Sequence, residues 1–398
     1  MRRFLINGEV SSDDADDFQH LLTLAYRDKA RPLCLCNDEG VPMYVAKIGD
    51  QLVIKRMPLT GADHDAACPS YEPPYELSGL GPLMGGAIKL DPAAGTAALK
   101  LDFSLSKRRS SGAGAVGSET ADSVKNDSKK LSLRGLLHFL WHESGLTEWT
   151  AHFAGKRHWW QVYHHLQEAA RTMSVWQQSL AERLFVPEPF RAEEKAAIEQ
   201  RRAQALSPLF HASTGPKTLM LLVGEVKEFS SARNGQLVII KHMPGFRLYL
   251  EEPAWRRLQR RFDTELTLWG SNETSHLIAI ATIAGSPSGV VTINEIALMT
   301  VTEQWLPIEN AYEERLLDRL TRMREKMVKG LRFELLRTQP LANVILPEHR
   351  PLARALYIVP QGADERFEAA LREMIDARPD MSAWIWRTGE AEMPPLTV

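Results

Sequence analysis

The sequence predicts a mixed α+β protein with a small β-hairpin module first, a helical segment in the centre, and a larger α/β domain last. Three observations predict this class. Hydrophobic residues make up 44% and charged residues 25% of the 398 residues, which is ordinary for a globular protein with a full core. Alternating apolar residues indicate strands towards both ends of the chain. A helical pattern dominates the stretch between them.

Chain length and composition together predict the domain boundaries. The length allows two or three domains. Residues 107–130 contain almost nothing apolar, which predicts a flexible linker or loop. We therefore expect a β-rich domain over 1–106, a helical domain over 131–206 and a C-terminal α/β domain over 207–398.

The elements of the first two domains follow from local patterns. Residues 17–27 predict a short amphipathic helix, and residues 43–57 predict a hairpin that turns at Gly49-Asp50. The central helical segment is interrupted at Gly145 and Gly155.

The second half predicts alternating strands and helices, as in an α/β domain. The predicted elements are strands at 218–229 and 236–243 around an Asn-Gly turn, a helix at 254–269, two further strands, a helix at about 309–328, strands near 342–346 and 355–360, a helix at 364–377 and a last strand at 383–387.

Charge and hydropathy limit the classes of binding partner that the sequence predicts. The formal net charge is −2, so any nucleic-acid surface must be local. The first residues include two arginines but no apolar stretch behind them, which does not fit a signal peptide. No run approaches the ~20 apolar residues of a membrane span. We expect a cytoplasmic protein without a membrane partner.

The three cysteines all lie in one short segment, together with a histidine. Cys34 and Cys36 share one short turn, while three residues separate His64 from Cys68, which predicts both on one face of a helical turn. The predicted hairpin lies between the two pairs and brings its ends together. Three cysteines and one histidine form a standard closed structural zinc site.

The sequence therefore predicts one zinc ion, Zn²⁺, held by Cys34, Cys36, His64 and Cys68 in a zinc-ribbon-like module. Four protein ligands leave no open position for water, which argues against catalysis by the metal. An odd number of cysteines does not suggest a disulfide framework. The alternative is three buried free cysteines beside a surface histidine, because cysteine often behaves as a small hydrophobe.

A basic segment with aromatic neighbours is the first candidate nucleic-acid surface. Residues 104–157 contain nine basic and five acidic residues, a local charge of +4. The breaks at Gly145 and Gly155 predict a tri-helical, helix-turn-helix-like unit whose last helix begins near Lys156 and Arg157. Helix N-termini and basic side chains both suit phosphate. The alternative is a packed helical domain whose charges are solvated.

A second basic surface is predicted on the 254–269 helix. Arg256 and Arg260 are four residues apart and share one flank, which could contact nucleic acid or an acidic partner. A solvated helix face explains the pattern equally well. The candidate nucleic-acid contacts are Lys107, Arg108, Arg109, Lys156, Arg157, Arg256 and Arg260.

Two further patterns have simpler explanations. His138 and His142 could hold a metal from one helix face, but no third ligand is identifiable. The triplet from Glu225 to Lys227 spells the E-x-K of some metal nucleases. Residues 205–224 contain no acidic partner for it, so alternating charges on an exposed strand suffice.

Short motifs along nearly the whole chain carry a family resemblance. They include RPLCLC, IKRMP, SYEPP, LKLDFSLSK, LSLRGLLHFLW, LMLLVGEVKE and VKGLRF. Through them the chain resembles the bacterial family known as domain of unknown function 1173, whose members are often encoded on plasmids and integrative mobile elements. The resemblance implies a bacterial host and a mobile-element context, and it implies no activity.

Residues 303–390 also resemble, more weakly, nucleases of the PD-(D/E)xK class. Those nucleases order a helix with an early Glu, a hairpin with an Asp, an E-x-K strand, a helix and a strand. Glu313 or Glu314 takes the helix place, 341–346 the Asp strand and 355–362 the E-x-K strand. The metal-binding carboxylates are absent from both strands, so the resemblance implies an inactive restriction-endonuclease-like core.

Together these patterns predict a non-catalytic, zinc-stabilised accessory protein of a bacterial mobile element. It would act on nucleic acid, DNA more than RNA, or with protein partners in a protein–DNA assembly. One alternative is a divergent metal-dependent nuclease, which magnesium-dependent cleavage would identify. Another is a protein-binding scaffold or antagonist of a host factor, whose binding would lack the salt dependence of phosphate contacts.

Overall fold

A computed structural model shows a mixed α+β fold, as the sequence predicts. It describes residues 2–65, 67–91, 96–107, 129–211, 217–389 and 392–396. Arg108, Arg109 and almost all of the predicted linker lie outside the described residues. In the described ranges the helices are α1 (Phe18–Arg27), α2 (Leu133–Glu143), α3 (Trp159–Arg171), α4 (Lys195–Leu206), α5 (Glu252–Arg261), α6 (Asp263–Ser271), α7 (Ala311–Met323) and α8 (Glu365–Asp376).

The strands form several separate sheets. They are β1 (Arg3–Ile6), β2 (Glu9–Ser12), β3 (Leu33–Cys34), β4 (Val41–Ile48), β5 (Gln51–Arg56), β6 (Ile88–Asp91), β7 (Thr96–Leu99), β8 (Ser106–Lys107), β9 (Glu148–Trp149), β10 (Met173–Val175), β11 (Gln178–Ser179), β12 (Leu184–Phe185), β13 (Lys217–Thr218), β14 (Met220–Ala232), β15 (Gly235–Ile240), β16 (Leu248–Glu251), β17 (His276–Gly285), β18 (Val291–Val301), β19 (Pro307–Ile308), β20 (Met327–Lys329), β21 (Val344–Leu346), β22 (Ala353–Val359) and β23 (Met381–Arg387).

The N-terminal sheet has the strand order β2-β1-β3-β4-β5. Helix α1 packs on it through the apolar stripe that the sequence predicts, which buries Leu21 and Leu22. The β4–β5 hairpin turns at Gly49 and Asp50, between the paired residues Ile48 and Gln51, so the predicted hairpin is confirmed. This sheet carries the first half of the cysteine cluster.

The central segment differs from the predicted tri-helical unit. Gly145 and Gly155 do interrupt the helices, and both have positive φ. Between them the chain forms β9 and a short 3-10 turn rather than a further helix. Strand β9 pairs with β20, and β10 pairs with β7, so tertiary pairing decides the structure here.

Five strands of the second half close into a barrel. The path β14-β15-β16-β18-β17 returns to β14, because β17 also pairs with β14. Its one parallel pair joins β16 and β18, and α5 and α6 lie between β16 and β17 in the chain. This is the connectivity of an OB-fold, a five-stranded Greek-key barrel. The single helix predicted at 254–269 is instead two helices that meet at Phe262.

The C-terminal sheet has the order β23-β22-β21-β20-β9. Helix α7 precedes its meander β20–β21–β22, and α8 connects the parallel strands β22 and β23. This order of elements is the one that the weak nuclease resemblance implies, but element order alone does not establish a restriction-endonuclease-like fold. Strands β9 and β10 pair with strands outside 131–206, so the sheets cross the predicted domain boundaries. The boundaries themselves stay a prediction.

Candidate metal centre and barrel face

The first cysteine pair lies where β3 ends in a tight turn. Cys34 pairs with Phe4 of β1 and Val41 of β4, which fixes its backbone in the sheet. Cys36 follows in the turn, where the side-chain oxygen of Asn37 accepts a hydrogen bond from the backbone N–H of Gly40 at 2.8 Å. The Asn37 amide also donates to the Asp63 carbonyl at 3.1 Å, which draws the second pair towards the first.

The second pair lies on a turn rather than on a helix face. A 3-10 turn, Gly61–Asp63, ends at His64, whose backbone is extended. The N–H of Cys68 then donates to the Asp65 carbonyl at 2.8 Å. The predicted helical turn is therefore wrong, although the predicted meeting of the two pairs occurs.

The four ligand atoms all lie within 4.8 Å of one another. Cys34 Sγ is 3.7 Å from Cys68 Sγ, and His64 Nδ1 is 3.3 Å from Cys36 Sγ and 3.7 Å from Cys68 Sγ. Tetrahedral zinc bond lengths imply about 3.8 Å between two sulfurs and about 3.6 Å between sulfur and nitrogen. The sulfurs are too far apart for a disulfide. This cluster could bind a metal ion.

The surroundings of the cluster suit metal-bound thiolates. Burial raises the pKa of the Cys34 thiol to about 12 and lowers the pKa of His64 to about 4. A bound cation reverses the effect of burial on the thiols, because it stabilises their deprotonated form. The backbone N–H groups of Asp65 and Ser70 point at Cys36 Sγ and Cys68 Sγ, at 3.5 and 3.4 Å.

The loop that carries the second pair is tied to the rest of the protein by charge. Glu72, four residues beyond Cys68, forms an ion pair with Arg56 of β5. Arg56 Nη1 also contacts Glu148 Oε1 of β9 at 2.7 Å. These ion pairs connect the loop after Cys68 to β9 of the C-terminal sheet.

The predicted nucleic-acid residues lie on separate elements. Lys156 is exposed before α3, and Arg256 and Arg260 are exposed on α5, where Arg256 bonds Glu252 at 2.9 Å. The backbone of Lys107 belongs to β8.

Arg157 does not fit the predicted phosphate contact. It is 8% exposed, and its guanidinium donates to the carbonyls of Leu146 and Gln304 at 3.2 and 3.4 Å and to the carbonyl of Glu148. Burial lowers its pKa to about 10. Its role is to join the turn before α3 to the barrel, because main-chain oxygens take the donors that a phosphate would need.

A face of the barrel that the sequence analysis missed joins apolar and basic side chains. On it Leu237 of β15 is paired with Tyr249 of β16, and Ile239 lies two residues along from Leu237. These three are partly exposed, while Arg233 in the β14–β15 turn and Arg247 before β16 are exposed. We call these five residues the barrel face. The alternation of apolar residues in 236–250 indicates strands, but it does not predict that these side chains share one outer face of a closed barrel.

The E-x-K triplet is not assembled as a catalytic site. Glu225 is 3% exposed, and its carboxylate binds Lys241 and His276, the latter at 2.7 Å. Lys227 is exposed at a β-bulge, between the paired residues Val226 and Glu228. The alternative, alternating charges on an exposed strand, does not hold at Glu225 either, because this residue is buried in an ion-pair cluster.

The helix and the two strands that the weak nuclease resemblance aligns with a nuclease core contact one another in the structure. Glu313 Oε1 of α7 contacts Lys329 Nζ at 3.0 Å and accepts from the Asn343 amide at 2.7 Å. The Asn343 side-chain oxygen accepts from the N–H of Ile358 at 2.8 Å. All of these groups are buried. A lysine ammonium thus neutralises the carboxylate at this point.

The protein has a mixed α+β fold that contains a closed five-stranded barrel. Its N-terminal part carries a cluster of three cysteines and one histidine that could hold a metal ion. The chain belongs to the family described as "Protein of unknown function (DUF1173)", whose sequence model matches residues 4–389. No curated protein matches it. Among solved structures, a chain of the Stn1–Ten1 complex of S. pombe is similar at 11% identity over 27% of this chain and 76% of that chain, with a TM-score of 0.15. No described helix is both long and apolar enough to cross a bilayer.

Proposed function

We propose that this protein is a non-catalytic, zinc-stabilised accessory protein that binds nucleic acid, DNA in preference to RNA, through its barrel face. The observation that carries the proposal is the OB-fold connectivity of β14–β18. OB-folds bind oligonucleotides and oligosaccharides on the face of their second and third strands and on adjoining loops. Those strands here are β15 and β16.

The chemistry of the barrel face favours a nucleic acid over a sugar. Leu237, Ile239 and Tyr249 offer a partly exposed apolar and aromatic stripe on which bases can rest. Arg233 and Arg247 directly adjoin the strands that carry the stripe, and within the described residues neither forms an ion pair. Free guanidinium groups beside a stacking surface suit phosphates.

Zinc is the metal that the centre suits best. Three thiolates and an imidazole are soft ligands, and the interatomic distances match a tetrahedral arrangement. A mobile-element setting rests on the family resemblance alone.

The test is equilibrium binding of fluorescently labelled single- and double-stranded DNA and RNA oligonucleotides over a range of salt concentrations. We expect binding at low salt with a steep salt dependence. Arg233→Ala with Arg247→Ala should weaken binding and reduce the slope of log affinity against log salt by about one to two. The matched control, Arg256→Ala with Arg260→Ala, removes two exposed arginines from α5.

Each outcome has a distinct meaning. Equal losses in the two double variants would move the interface from the barrel face to a diffuse basic surface and sink the proposal as stated. Absence of binding by the wild type at low salt would favour a protein-binding scaffold. Magnesium-dependent cleavage of the oligonucleotides would instead favour the nuclease.

A further inference from the structure

An unusual hairpin tip connects β10 and β11. Val175 pairs with Gln178, so Trp176 and Gln177 alone form the turn. Both have positive φ, 49° and 65°. A two-residue hairpin with two positive φ angles is a type I′ turn, which strongly prefers Asn-Gly because most side chains disfavour this backbone. A tryptophan and a glutamine hold this turn at a conformational cost.

Packing does not compensate for this cost. Trp176 is 63% exposed, the largest value among the exposed large hydrophobic residues that the structure describes. Among the residues that the structure describes, the Trp176 ring has no aromatic partner and its indole N–H has no hydrogen-bond acceptor. Strained residues that the fold does not need are a reason to look for function.

Two basic residues belong to the segments that adjoin this turn. Val175 lies beside Leu99 in the parallel β7–β10 pair, so Trp176 and the exposed Lys100 leave the sheet side by side. Arg183 Nη2 donates to the side-chain oxygen of Gln178, the first residue after the turn, at 3.3 Å. An exposed flat ring on a turn whose adjoining segments carry two cations suits a ligand that combines flat rings with negative charge.

We propose that Trp176 stacks on an unpaired base of single-stranded nucleic acid, while Lys100 and Arg183 contact the flanking phosphates. This rests on the proposed nucleic-acid function and deepens it by naming the strand state of the ligand. An exposed indole needs a free base face, and in a duplex both faces of an internal base are occupied by neighbouring bases. Stacking of this kind tolerates any sequence.

The first test compares Trp176→Ala with the wild type on a single-stranded DNA oligonucleotide and on a blunt duplex of the same sequence. Single-strand affinity should fall about five-fold or more, as for the loss of one stacked base. The salt slope should not change, because no phosphate contact is removed, and duplex affinity should not change either. Tyr26→Ala, which removes an exposed aromatic ring from α1, is the matched control and should bind as the wild type does.

The second variant, Trp176→Asn with Gln177→Gly, guards against loss of fold. It installs the preferred Asn-Gly turn, so its melting temperature should rise above that of the wild type while single-strand affinity falls as in Trp176→Ala. A lower melting temperature would contradict the strained-turn argument.

The outcomes separate this inference from the proposed function. If the wild type binds single strands and Trp176→Ala binds them equally well, the stacking role is wrong and the barrel-face proposal stands. If Trp176→Ala weakens single-strand and duplex binding alike, base stacking is also wrong. If the wild type binds no nucleic acid, both proposals fail.

Discussion

At the scale of single residues, the sequence predicted that three cysteines and one histidine come together, and the structure brings these four side chains into one cluster that could bind a metal. Residue type and clustering were enough, because few roles unite three cysteines and a histidine in one short segment. Arg157 shows the limit of this reasoning. Its charge suggested a phosphate contact, but its donors are taken by main-chain oxygens, including that of Gln304, far along the chain. No local pattern records such a partner.

The centre gives the first residue-scale prediction. Wild-type protein should contain about one zinc per chain by elemental analysis, and Cys36→Ser should lose it. The free energy of unfolding should fall by about 3 kcal/mol or more, because metal binding is linked to folding. Asp38→Ala, an exposed change two residues along, should keep both metal and stability. A metal-free wild type that is fully folded would refute the zinc assignment.

Lys55 gives a second residue-scale prediction, through its charge. Its Nζ is buried without a hydrogen-bond partner in the described chain, and burial lowers its pKa from 10.5 to about 8. The folded state therefore releases this proton at lower pH than the unfolded state. Above pH 10.5 Lys55 is neutral in both states and does not lower the free energy of unfolding. As pH falls towards 8 the unfolded state takes up the proton first, so the free energy of unfolding falls, and it stays lowered at neutral pH.

Lys55→Met should therefore stabilise the protein at neutral pH, by about 1–3 kcal/mol, because it removes an unpaired buried cation. The gain should shrink as pH rises from 8 to 10.5. Urea unfolding across this range measures it. Lys47→Met, on the exposed side of the same hairpin, should show neither effect. A pH-independent gain would point to apolar packing rather than charge.

At the scale of elements, local patterns predicted hairpins and amphipathic helices but not the barrel. The β4–β5 hairpin joins neighbours in sequence, so alternation and a Gly-Asp turn identify it. The barrel closes through pairs such as Met220 with Ile283, and through the parallel pairing of β16 with β18. Strand patterns do not encode which distant strand is the partner, so the OB-fold connectivity was beyond a single sequence.

The β4–β5 hairpin also gives an element-scale prediction. Gly49 has a φ of +61°, and a Cβ there would lie 2.7 Å from the Trp160 ring of α3. Gly49→Ala should therefore combine backbone strain with a clash and lower the free energy of unfolding by about 2–4 kcal/mol. Gly8→Ala is the matched control, because φ is +87° there but no atom lies within 4 Å of the added Cβ. Thermal unfolding of both variants measures the difference, and equal losses would mean that Trp160 yields freely.

At the scale of the whole molecule, composition predicted the α+β class but could not predict how the segments interlock. The division at 106, 131 and 207 follows composition along the chain and stays a prediction. Strands from 131–206 pair with strands of both neighbouring segments, and Arg56 forms ion pairs with Glu72, in the loop after Cys68, and with Glu148 of β9. The composition of a linker does not predict which distant strands pair across it.

The pairing of β9 with β20 has a consequence for biosynthesis. Glu148 and Trp149 leave the ribosome long before their partners Val328 and Met327 are made. Until then the Trp149 ring, 1% exposed in the finished protein, has no strand beside it and no C-terminal core to enter. Closing so long a loop costs chain entropy before any contact repays it. The C-terminal sheet is therefore completed late, and a nascent chain that has β9 but not β20 is a natural client for chaperones that bind exposed apolar segments.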